Sequence, residues 1–116
     1  ALNRNERHTR DFWVKAQGEL VRLAPDSILH FQAERDYVRI FTADGDYLYQ
    51  ESLASLERRL DPSQFMRIHR GTIVRIGAIA RIKSAPFGAL IAVLSDGSEA
   101  RLGRIYTSTI RSRLVG

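Results

Sequence analysis

Apolar residues in this chain come in short runs cut by turn-forming residues. FWVKAQ ends at Gly18, ELVRLA at Pro25-Asp26-Ser27, and ILHFQAE at Arg35-Asp36. Turns spaced about 8 to 12 residues apart predict strands in a mainly β unit. YVRIFTA alternates, with Val38, Ile40 and Thr42 on one face and Tyr37, Arg39 and Phe41 on the other. Asp44-Gly45 then precedes YLYQ and predicts a hairpin, because Asp-Gly accepts the positive φ of a tight turn. SLASLERRLDP changes the period: Ser52 can cap a helix, Leu53, Leu56 and Leu60 recur at helical spacing, and Pro62 stops it, leaving Arg58 and Arg59 on a solvated face. In FMRIHRGTIVRI, Phe65, Arg67 and His69 face one way and Met66 and Ile68 the other, until Arg70-Gly71 breaks the strand. Gly77 leads into AIARIKS, Pro86 and Gly88 interrupt the chain, and ALIAVLS pairs with SEARL across Asp96-Gly97. In the final RIYTSTIRSRLVG, Tyr106, Ile110 and Leu114 stand four apart, as on a short amphipathic helix. The pattern predicts a mainly β single domain over residues 12–116, with about eight to ten strands and one or two short helices. Residues 1–11, polar and aperiodic, read as a linker or N-terminal extension from an upstream domain.

Composition narrows the chemistry. With 116 residues, 44% hydrophobic and 27% charged, the chain has the make-up of a self-sufficient globular domain. The absence of cysteine excludes a disulfide scaffold, thiolate-bound zinc, iron–sulfur clusters and thiol catalysis, and fits a reducing, cytoplasmic setting. No apolar run approaches bilayer length, so no membrane association is expected. GxxxxGK[ST] and GxGxxG are both missing, and His8, His30 and His69 lack metal-ligand spacing. Glu34 and Asp36 flank Arg35, which reads as a turn salt bridge rather than an acid–base pair. No catalytic residue, metal or cofactor is therefore predicted.

Charge adds the positive signal. The net charge is +5, and 16 of the 18 basic residues are arginine, whose planar fork matches phosphate oxygens or a guanine edge. Residues 1–61 hold 9 basic and 11 acidic side chains, whereas residues 62–116 hold 9 basic and only Asp96 and Glu99. Such asymmetry points to a polyanion partner. Arg70, at a strand end beside Gly71, can project into a groove, while Arg67 reads as a half-buried structural pairing. Single-stranded nucleic acid would need exposed aromatics to stack bases. Tyr37 and Phe41 are the candidates, since Trp13, Phe31, Phe65 and Phe87 sit in contexts that read as core. A basic β-module docking an acidic protein is the remaining alternative.

The run DSILHFQAERDYVRIFTADGDYLYQESLASLERRLDPSQFMRIHRGTIV, followed later by LSDG and LGRIY, resembles the LytTR DNA-binding domain of bacterial response regulators over roughly residues 26–110. The resemblance implies three small sheets in an elongated body that reads double-stranded DNA through loops inserted into successive major grooves. It also implies an upstream receiver or sensory domain and a dimer formed on paired DNA repeats. Family contacts fall on the loop at Arg35, Asp36 and Tyr37, on Arg70 beside His69, and on Arg104. Arg104 and Arg70 are expected to read bases, with His69, Arg75 and Tyr37 positioning the backbone. Three departures from the family pattern stand out: Gly71 and Gly103 replace serines, and Arg75 replaces an asparagine.

Overall fold

The structure, a computed structural model, describes residues 11–115. All of the N-terminal extension expected at residues 1–11 except Asp11 lies outside the described residues. The strands are β1 (Phe12–Ala16), β2 (Glu19–Leu23), β3 (Ile28–Glu34), β4 (Tyr37–Thr42), β5 (Gly45–Tyr49), β6 (Phe65–His69), β7 (Thr72–Arg75), β8 (Ile79–Ser84), β9 (Leu90–Leu94) and β10 (Glu99–Arg101). Helix α1 (Leu53–Arg59) lies between β5 and β6, and α2 (Thr107–Val115) is the last element among the described residues. The expected three-sheet, mainly β architecture is what forms: a β1-β2 hairpin, a five-stranded sheet ordered β5-β4-β3-β7-β6, and a three-stranded sheet ordered β10-β9-β8. The body is broad in two directions and thin in the third, 44 × 39 × 24 Å. Among the described residues, no helix is long and apolar enough to cross a membrane.

The five-stranded sheet is covered on both faces. On one, Phe31, Val38, Ile40, Phe65 and Ile73 pack with Leu53, Leu56 and Leu60 around α1 and with Phe12, Val14 and Leu23 of the first hairpin. On the other, Leu29, Met66, Ile68 and Val74 meet Ala92, Leu94, Ala100 and Leu102 of the small sheet and Ile110 of α2. Two covered faces explain why Ile28, Leu29, His30 and Phe31 are buried in succession rather than alternately. A bulge between Ile28 and His30 re-aims the strand at that point.

Local chemistry departs from the sequence reading in four places. The β4–β5 turn is Ala43-Asp44, one residue earlier than the Asp44-Gly45 pair, because the Thr42 hydroxyl accepts the Asp44 N–H at 3.2 Å and donates to the Gly45 carbonyl at 2.9 Å. Arg59 is half-buried rather than free in solvent: its Nε donates to Glu51 at 2.9 Å, Nη2 donates to the Tyr49 hydroxyl at 3.2 Å, and the guanidinium lies 5.2 Å from the Phe12 ring centroid. Trp13 and Phe87 are not core. Trp13 lies on the outer face of the first hairpin beneath Arg22, and Phe87 occupies the tip of a Pro-Phe-Gly turn at φ +64° with 95% of its surface exposed. Phe41 is not a free platform either, since His30 stacks on it at 4.3 Å and 9°.

His30 makes folding sensitive to acid. It is buried and its Nδ1 has no hydrogen-bond partner among the described residues. Burial pushes the imidazole below its ordinary value of 6.5, partly opposed by Asp96. Because the unfolded chain takes up the proton first, the stability contributed by neutral His30 is complete above pH 6.5 and is lost as pH falls below it. Urea denaturation at pH 7.5 and 5.5 should show a decline of no more than about 1.4 kcal/mol per pH unit. His30→Phe should flatten that segment of the profile. The carboxylates of Glu34, Glu51 and Asp96, all held low by hydrogen bonds, enter only below their ordinary values of 4.5, 4.5 and 3.8.

Candidate nucleic-acid interface

Two turns close at the same edge of the central sheet. Glu34 pairs with Tyr37 across Arg35-Asp36, and His69 pairs with Thr72 across Arg70-Gly71. Strand β3 ties them together, with Gln32 opposite Thr72 and the Ala33 N–H donating to the Gly71 carbonyl at 2.8 Å. The turns are therefore about two strand spacings, roughly 10 Å, apart. On the far side of β6 the chain leaving β10 passes close by: the Gly103 N–H donates to the Ile68 carbonyl at 2.6 Å, and Arg104 follows. Arg35, Asp36, Tyr37, His69, Arg70 and Arg104, scattered over seventy positions, are thus brought to one edge in the order of the strands.

The Arg70 turn is held from beneath. Arg67 donates from Nε to the His69 carbonyl at 3.0 Å and from Nη2 to the Arg70 carbonyl, and its Nη1 lies 2.7 Å from Glu57. The structural pairing expected of Arg67 is present, with its acid on α1. His69 accepts the Gly71 N–H at Nδ1, 3.1 Å away, so the neutral ring carries its proton on Nε2. Arg35 sits in its turn at φ +60°, and both turn residues are exposed.

Free cations separate from occupied ones. Arg35, Arg70 and Arg104 are exposed and make no side-chain hydrogen bond or ion pair among the described residues, a property shared with Arg58, Arg81, Arg101 and Arg111. Arg39 is tied to Glu34 at 2.7 Å and Asp46 at 3.5 Å, and Lys83 to Glu99 at 2.5 Å. Arg75 is not brought to the edge. It lies at the opposite end of β7, with Nε donating to the Ile28 carbonyl at 2.6 Å and Nη1 only 2.9 Å from where a Cβ on Gly77 would stand.

The two glycine departures differ in cause. A Cβ on Gly71 would have only His69 Nδ1 at 3.7 Å, so a serine fits there. At Gly103 it would stand 3.1 Å from Tyr106 Cδ2 and 3.5 Å from His69 Cα, so the close approach of Gly103 to β6 favours the missing side chain.

A family model described as the LytTr DNA-binding domain matches residues 18–115. The chain belongs to the LytTR family. It is 47% identical over 102 residues to the heme-containing CO-sensing transcriptional regulator RcoM 2 of Paraburkholderia xenovorans, covering 87% of this chain and 38% of that protein. It is 33% identical over 89 residues to the CO-responsive transcriptional regulator RcoM of Rhodospirillum rubrum, covering 76% and 38%. It is 30% identical over 95 residues to the positive alginate biosynthesis regulatory protein of Pseudomonas aeruginosa, covering 80% and 37%. The chain thus spans well under half the length of these relatives. A solved LytTr DNA-binding domain from Bacillus cereus superimposes with a TM-score of 0.84 at 18% identity, over 91% of this chain and 97% of that one, which establishes the shared fold.

Arg101 and Gln32 of this LytTR domain are not among the positions its sequence singles out. With His69, Thr72 and Glu99 they line a shallow recess of about 330 Å³ between the central edge and β10. The available signal was alternation in SEARL, which turns Ala100 inward and Arg101 outward three residues before Arg104.

Proposed function

We propose that this LytTR domain binds double-stranded DNA in a sequence-specific manner as the output domain of a bacterial transcription regulator, in a cytoplasmic setting and with no catalysis of its own. One observation carries the reading: three segments with unoccupied arginines, at Arg35, Arg70 and Arg104, line up along one edge of a rigid sheet. In this reading Arg70 and Arg104 take guanine N7 and O6, and the Arg35–Tyr37 turn and the Nε2–H of His69 fix the backbone. In this reading the loops along the edge enter the major groove side of the duplex and the sheet behind them holds their spacing. Arg75, anchored on Ile28, acts through the fold. Stacking of single strands is disfavoured, because among the described residues only Tyr37 offers an exposed aromatic at this edge.

Selection of duplexes from a random library, followed by anisotropy titrations across a salt series, tests the proposal. The expected result is an enriched motif, in two repeats about one turn apart, bound far more tightly than a scrambled control. The slope of log affinity on log salt should be near −0.9 per phosphate neutralised. Equal slopes and equal affinities on both duplexes would reduce the edge to a general polyanion surface. Loss of an acidic protein partner in the arginine variants, with DNA binding absent, would establish the docking module instead.

A further inference from the structure

Next to Arg104 stands a side chain that the folded domain leaves almost bare. The chain leaves β10 at Leu102, whose N–H donates to the Leu90 carbonyl at 3.0 Å, and then makes a single 3-10 turn over Arg104–Tyr106. Residues of such a turn point in three directions. Tyr106 is held inward: it packs against the second core cluster and its N–H donates to the Gly103 carbonyl at 3.0 Å. With that residue fixed, its two predecessors face out, and Ile105 is 82% exposed. A β-branched side chain has few rotamers to lose, so Ile105 is a rigid apolar knob beside a free arginine.

We propose that Ile105 is a specificity-determining residue, its side chain meeting the C5-methyl of a thymine in the base pair next to the one Arg104 reads. The inference rests on the DNA-reading function proposed above. Ile105 adjoins Arg104 in sequence and both are exposed on the same short turn, so a base pair reached by Arg104 has its neighbour within reach of Ile105. In the major groove the thymine methyl is the one apolar group that projects from a base edge. It stands out toward the groove mouth, where a side chain shorter than arginine arrives. An aliphatic group pressed against any other base edge would desolvate a polar atom and give no hydrogen bond in return.

The test uses the duplex that this protein enriches, with each thymine replaced singly by deoxyuridine, which keeps base pairing and removes only the methyl. At one thymine, adjacent to the base pair relaxed by Arg104→Ala, the replacement should weaken binding of the wild-type protein about fourfold, the value of one buried methyl. Ile105→Ala should bind the thymine and deoxyuridine duplexes equally while keeping the Arg104-dependent preference. Ile105→Val, which retains branched methyls, should keep the discrimination. A flat response to deoxyuridine at every position would overturn the proposal, as would discrimination that persists in Ile105→Ala. So would equal weakening by Ile105→Ala on enriched and scrambled duplexes, which marks a sugar–phosphate contact, or a loss confined to self-association. An Arg104-dependent motif with no methyl dependence overturns this inference alone, whereas failure to enrich any duplex overturns the parent reading as well.

Discussion

Arg104→Ala is expected to weaken binding to the enriched duplex by about 1 to 3 kcal/mol, a loss of roughly 5- to 150-fold, and to relax preference at one base position. The expectation follows from the position of Arg104 on the chain that closes against β6, with its guanidinium unoccupied and the backbone beneath it fixed by the Gly103–Ile68 hydrogen bond. Affinity measured on the enriched duplex and on single-base variants of it checks both parts. Uniform weakening on every duplex would make Arg104 a phosphate contact, with the salt slope reduced by about one phosphate. Arg75→Ala provides the contrast. Its Nε bond to the Ile28 carbonyl is internal, so its removal should lower stability and leave base preference unchanged.

Phe12→Ala is expected to destabilise the domain by about 3 to 5 kcal/mol, read as a lower urea midpoint with an unchanged m-value. Phe12 is 1% exposed, with ring centroids 5.5 Å from Phe31 and 5.4 Å from Tyr49, and Arg59 over its face. It lies before residue 18, where the family match begins, yet it closes the same core as the sheet that carries Arg35 and Arg70. A cost below about 1 kcal/mol would make the first hairpin an accessory to the fold. A large cost would make it part of the platform that aligns the two turns.

What the sequence determined by itself was local. Alternation, helical spacing and turn residues place the strands, and Ser52, accepting the Ser55 N–H at 3.1 Å, caps α1 where the sequence reads a cap. These features are legible because each depends on neighbours within a few positions, whose spacing follows from backbone geometry. The arginine-rich second half was legible as a polyanion-binding composition, and the resemblance put Arg70 and Arg104 within it. Tertiary structure decided which cations are free. Arg59, read as solvated, turns onto Phe12 because β1 arrives from more than forty residues away, and Arg75, expected to position the DNA backbone, meets the Ile28 carbonyl across the sheet. It also decided that Trp13 and Phe87 face solvent, since alternation cannot say whether a second layer will cover an apolar position. The edge itself, with Arg35, Arg70 and Arg104 in line, exists only through the β3–β7 pairing and the return of the chain past β6. Such long-range contacts depend on how whole faces are buried, and no short stretch of residues encodes that.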